Sequence, residues 1–241
     1  ARGCPNRDAP CPDPQRPRAA RVYTSVVAVR GDAPVRGAAR RGAAVPPATP
    51  RMHARFENAP RFAEFLEHAQ QNTALWRDAY RLARVPDDVV ERARALPGRW
   101  HLLVLVEDWC GDAVNTVPYL ARLSELVPGL ALRVLGRDEN PDLMDAHLAP
   151  GGARAIPVVI VYDAGFAEVG WWGSRPGPLQ EWVTREGMRL EKPERYRHVR
   201  TWYARDRGRT TLDEVLTLLE RSAAGGASAA PAGDAVPLAC G

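Results

Sequence analysis

Apolar residues recur mostly at three- and four-residue steps from Phe62 through Phe65, Leu66, Ala69, Trp76, Ala79 and Tyr80 to Ala83. That spacing is one face of an amphipathic helix. Pro86 opens a second predicted helix at its first turn, with Asp87 and Asp88 suited to the positive end of the helix dipole, and Pro97-Gly98 stops it after about Leu96. Residues 101–106, His-Leu-Leu-Val-Leu-Val, are too short and too apolar for anything but a buried strand. A helix is expected at about 113–126, a strand at 130–135 and a short helix at 141–148. Two strands follow, 156–162 and 167–172, joined by Asp163-Ala164-Gly165 in the manner of a hairpin. Helices are predicted at about 178–186, 193–205 and 212–221. The order is βαβα, then ββα. A parallel crossover followed by an antiparallel hairpin predicts an α/β fold, a mixed sheet flanked by helices.

The two ends read differently. Residues 1–55 hold 11 Arg against Asp8, Asp13 and Asp32, a net charge of +8, whereas the whole chain of 241 residues carries only +4. Everything after residue 55 is therefore mildly acidic. This Ala/Arg/Pro-rich arm and the Ala/Gly/Ser/Pro-rich stretch 222–241 are expected to be disordered, with Val22–Val29 an isolated β-like run. Met52 stands just before the periodic pattern begins and is the expected native start. The arm is read as compositional bias, so no nucleic-acid partner is expected from it. The Arg- and Tyr-rich stretch 192–209 is read as a solvated face, because Glu191, Glu194 and Asp206 dilute its field. No apolar run approaches the roughly 20 residues of a membrane helix. Four cysteines do not make a disulfide scaffold, and a cytoplasmic protein is expected. Five scattered histidines lack metal-ligand spacing, so neither a metal nor another cofactor is expected.

Chemistry gathers at Glu107-Asp108-Trp109-Cys110-Gly111-Asp112-Ala113, where the first strand gives way to a helix. A cysteine there meets unpaired backbone N–H groups and the positive end of the helix, which favour thiolate. Gly111 is expected to leave the sulfur accessible. Glu107, Asp108 and Asp112 oppose the helix electrostatically, and residue types alone do not decide the balance. Pro118 lies eight residues past Cys110, where it kinks the helix. Ile156-Pro157 opens the third strand. Trp109 is read as a cover for the thiol. Of Trp171 and Trp172, alternation puts one inward and one outward.

Trp109-Cys110-Gly111, Pro118, Asp138-Glu139-Asn140-Pro141, Ile156-Pro157 and the hairpin ending in Gly170 together resemble the thioredoxin superfamily over about residues 100–187. The likeness is to bacterial thioredoxin-like proteins with a Trp-Cys-Gly-Asp motif. It implies a thioredoxin-like fold with a four-stranded mixed sheet, a cis-proline at Pro157 and thiol–disulfide chemistry at Cys110. Gly111, Asp112 and Ala113 would shape the loop, and Ile156 and Pro157 would seat an extended substrate segment. One domain is expected at 56–221, with its core at 100–187 and helical extensions at 60–96 and 193–221. Two departures qualify the likeness. The resolving cysteine, three residues after the first, is replaced by Ala113, and the buried Asp six residues before the nucleophile Cys110 by Val104. Cys110 can form a mixed disulfide but cannot close a ring with a neighbour. Cys4, Cys11 and Cys240 are read as incidental tail residues. The leading expectation is a single-cysteine thiol–disulfide exchange protein, a redox protein whose partner is a protein or a low-molecular-weight thiol or disulfide. Peroxide chemistry at Cys110 is a variant without specific support. The alternative is a non-catalytic peptide- or protein-binding module that has lost redox turnover. Cluster binding of the monothiol glutaredoxin kind ranks lower, because Gly-Asp-Ala is not the Gly-Phe-Ser of those proteins.

Overall fold

The computed structural model describes residues 48–227. Most of the expected disordered arm and tail, together with Val22–Val29, Cys4, Cys11 and Cys240, lies outside the described residues. The strands are β1 (Trp100–Val106), β2 (Leu130–Gly136), β3 (Val158–Tyr162) and β4 (Glu168–Gly173). They form one sheet in the order β2-β1-β3-β4. β1 pairs parallel with β2 and antiparallel with β3, and β3 pairs antiparallel with β4. This is the mixed four-stranded sheet of a thioredoxin-like α/β fold.

The helices are α1 (Ala48–Asn58), α2 (Phe62–His68), α3 (Thr73–Leu82), α4 (Asp87–Arg94), α5 (Gly111–Val114), α6 (Val117–Leu126), α7 (Pro141–Ala146), α8 (Gly177–Arg185), α9 (Lys192–Asp206) and α10 (Arg209–Ala227). They cover both faces of the sheet, so β1 and β3 bury Leu102–Val106 and Val158–Val161 almost completely. Such strands read as continuous apolar runs rather than alternating ones. Val104 lies opposite Val134 on one side and Val159 on the other, an apolar position throughout.

Four expectations need correction. The helix read continuously from Phe62 to Ala83 is two helices, because Asn72 takes a left-handed conformation (φ 51°) and the chain turns to meet Asp108. The arm expected to be disordered to residue 55 is helical from Ala48. Arg55 binds Asp142 and Asn140, and Phe56 is buried in the core, so α1 has tertiary partners that composition did not reveal. At the other end α10 continues to Ala227, past residue 221, on the strength of a buried face that includes Leu212, Val215, Leu216 and Leu219. Trp171 and Trp172 are both buried, because helices close both faces of β4. Trp171 meets His147 edge-on, and Trp172 donates its indole N–H to Glu214 at 2.6 Å. As expected of Pro118, the helix after Cys110 is interrupted: α5 ends at Val114 and α6 starts at Val117.

Candidate active site around Cys110

β1 ends at Val106 and the chain passes through Glu107 and Asp108 before reaching Cys110. Both acids serve the scaffold. Glu107 accepts the backbone N–H of Asp138 at 2.9 Å. One Asp108 oxygen accepts the N–H groups of Gln70 and Gln71 at 2.7 and 2.8 Å. Its carbonyl accepts the Trp76 indole at 2.8 Å and the Asn72 amide at 3.2 Å. Asp108 therefore fastens the α2–α3 connection rather than capping α5. Trp109 is exposed, with the Arg137 guanidinium 5.1 Å from its ring centroid. It flanks the site.

Cys110 caps α5 in an extended conformation, φ −80° and ψ 110°. Its thiol donates to the Ile156 carbonyl at 3.5 Å, next to the cis Ile156–Pro157 peptide bond. The sulfur is not accessible, contrary to the expectation from Gly111: Cys110 is only 6% exposed. Burial pushes its pKa above the ordinary value. The backbone N–H groups of Ala113 and Asp112 pull the other way, the Asp112 carboxylate adds to the rise, and Arg175 weakly offsets it. The balance left open by residue types falls to the thiol form. Ala113, at the position of the missing second cysteine, is fully buried.

Asp112 is the centre of a polar cluster. Its Oδ2 lies 2.5 Å from Arg175 Nη2, and its Oδ1 accepts the Tyr203 hydroxyl at 2.9 Å. Tyr203 is buried, and burial together with the Asp112 charge lifts its pKa well above the ordinary phenol value. Arg175 reaches the site because Gly173 packs on the third strand's entry. A Cβ on Gly173 would stand 2.6 Å from the Pro157 carbonyl oxygen. That close approach requires glycine and carries the β4–α8 connection past Pro157.

The structure thus brings Cys110 against the Ile156 carbonyl beside Pro157, with Trp109 exposed next to it, Gly111 opening α5, Asp112 engaged by Arg175 and Tyr203, and Ala113 fully buried. Sequence reasoning missed Arg175 and Tyr203. Tyr203 lay in the stretch read as solvated, yet it follows Val199 by four residues, and that apolar pair is the signal for the buried face of α9. Arg175 had no signal beyond its neighbour Gly173. Among the described residues no cluster of His, Cys, Asp and Glu is suited to a metal ion, and no helix is long and apolar enough to cross a membrane.

Comparison with known proteins agrees with the architecture. No curated protein sequence matches the chain. A crystal structure of a protein of unknown function from Pseudomonas aeruginosa superposes with a TM-score of 0.56 at 21% identity, over 69% of this chain and 95% of that one. An HIV epitope scaffold superposes with a TM-score of 0.55 at 20% identity, over 70% and 97%. Both likenesses are of fold. A family model described as thioredoxin matches residues 59–190, which takes in α2–α4 and ends before α9. With that match over more than half its length, on a sheet of the order β2-β1-β3-β4, the chain belongs to this thioredoxin family.

Proposed function

We propose that the protein is a single-thiol exchange protein in which Cys110 forms a mixed disulfide with its substrate. The observation that carries this reading is the sulfur's position. It sits at the N-cap of α5, 3.5 Å from the Ile156 carbonyl beside Pro157. In the exchange Cys110 loses its proton to solvent, and the thiolate attacks one sulfur of a disulfide. The Sγ–S bond forms as the substrate S–S bond breaks, and the departing thiolate takes up a proton. With Ala113 in the second cysteine's place, the adduct awaits a second thiol, which attacks the substrate sulfur and returns Cys110 to its reduced form.

Burial and the raised pKa favour a second reading, a non-catalytic binding module built on the same residues. The two separate cleanly in a Cys4→Ser, Cys11→Ser, Cys240→Ser background, where Cys110 is the remaining thiol. Exchange predicts a Cys110–glutathione adduct by mass spectrometry after treatment with glutathione disulfide. Its rate climbs with pH and levels off above ~8.5, the ordinary cysteine value. Absence of any adduct up to pH 10, with the fold intact by circular dichroism, leaves binding as the function.

A further inference from the structure

The cation beside Cys110 has donors to spare. A guanidinium carries five N–H donors in a fork that fits a carboxylate through two parallel bonds. Arg175 fills that fork incompletely. Nη2 makes a single contact with Asp112, Nη1 donates to Gln180 at 3.3 Å, and Nε is buried with no acceptor among the described residues. The other oxygen of Asp112 accepts the Tyr203 hydroxyl rather than a second Arg175 donor. The neighbouring cations are occupied differently: Arg154 grips Asp145 with two bonds, and Arg137 is engaged by Asp138 and lies near Trp109. Arg175 keeps 28% of its side-chain surface exposed.

We propose that Arg175 receives a carboxylate of the disulfide that reacts at Cys110, so that the protein selects anionic disulfides, and that Asp112 occupies Arg175 while the site is empty. Gly173 against Pro157 fixes the separation between this anion position and the wall beside the sulfur. The proposal rests on the exchange reading and names its substrate class: a disulfide with a carboxylate a few bonds from the sulfur, in a small molecule or in an acidic polypeptide. Bound through Arg175, such a substrate presents one sulfur to the Cys110 thiolate. The new Sγ–S bond forms, the substrate S–S bond breaks, and the second half leaves as a thiolate that solvent protonates. Cys110 is oxidised to the mixed disulfide and one substrate sulfur is reduced.

Binding is tested without exchange in the Cys110→Ser protein, titrated by NMR with S-methylglutathione, with S-methylcysteamine as a cationic control and 2-(methylthio)ethanol as a neutral one. S-methylglutathione is expected to bind. Arg175→Gln should weaken it about tenfold, Arg175→Lys should weaken it less, and Asp112→Asn should tighten it, with no comparable response to the controls. An acetylated peptide with Asp beside S-methylcysteine, compared with S-methylglutathione, tells polypeptide from small-molecule substrates by which binds more tightly. Exchange is then followed in the triple-serine background with glutathione disulfide, cystamine and bis(2-hydroxyethyl) disulfide. The proposal predicts a preference for glutathione disulfide that Arg175→Gln abolishes while the neutral disulfide changes less than threefold. It is overturned if binding is indifferent to Arg175, or if Arg175→Gln slows all three disulfides alike. If binding depends on Arg175 but no disulfide reacts, the exchange reading fails and the anion site stands. Arg175→Lys keeps the test valid should the glutamine variant fail to fold.

Discussion

On one side of Cys110, β1 and β3 bury Leu102–Val106 and Val158–Val161 at no more than 1% exposure within the main hydrophobic core. On the other, α8 and α9 rest on a separate cluster of four buried residues, Leu179, Val183, Val199 and Tyr203, edged by Trp182 and Trp202. The family match covers the first wall and stops at residue 190, before the helix that supplies Tyr203. The strand wall, buried throughout, is expected to open only with unfolding of the whole domain. The α8–α9 wall has little apolar area to hold it and belongs to the low-stability end of the molecule. Cys110 itself belongs to the main core, and the satellite cluster reaches the site through Tyr203, which donates to Asp112; local opening of α8–α9 is the expected route by which the sulfur would become exposed.

The sharpest test of the strand wall is Leu103→Ala, at a fully buried site in β1. It should cost about 2–5 kcal/mol by leaving a cavity, read as a lower urea midpoint for the entire fold. Loss confined to one segment would break the distinction. Gly173→Ala comes next, because its Cβ collides with backbone rather than with a pliable side chain. It should cost about 1–3 kcal/mol as an overpacking change, and chemical shifts should move at both Pro157 and Arg175. Val199→Ala removes apolar contact from the satellite cluster alone. Its global cost should stay near 1–2 kcal/mol, while Cys110 alkylation at fixed pH accelerates severalfold. An unchanged alkylation rate would mean that α9 does not gate the sulfur.

The smallest effect is in the pH dependence of stability. The folded-state pKa of Cys110 lies above its ordinary value because of burial, with the Asp112 charge adding to the rise. Between the unfolded and folded values, the unfolded chain releases the proton first, so the folded state binds more protons and stability falls as pH rises. The thiol contributes no loss below the unfolded value. Denaturation midpoints of the wild type and Cys110→Ala, compared from pH 7 to 10, should diverge above about pH 8.5, with only the wild type sloping downward from this source.

The strand wall was readable from residues because its signals are local. Continuous apolar runs mark β1 and β3, and Pro118 marks the break between α5 and α6 in the chain order. The other wall was not, because its residues matter through distant partners. Tyr203 is one aromatic among many cations until α9 brings it to Asp112, 91 positions earlier in the chain. Arg175 is one of 33 basic residues until Gly173 threads it past Pro157. Asn72 splits the predicted long helix for the same kind of reason: the turn there is held by Asp108, which local periodicity does not see. The thiol's protonation state also depended on burial imposed by the full fold, which the N-cap position alone did not convey.

Asp108, one residue before Trp109, sets the limits of modularity here. Its side chain and carbonyl together take four hydrogen bonds from Gln70, Gln71, Asn72 and Trp76. Removing α2 and α3 to obtain a minimal domain would strip those donors from the residue that leads into the reactive loop. Transplanting the Trp-Cys-Gly-Asp loop into a bare thioredoxin scaffold would orphan the same groups. The extension and the loop behave as one cassette, so any graft, truncation or chimera built on this chain should keep α2 and α3, and with them the buried Phe56 of α1, rather than begin at Trp100.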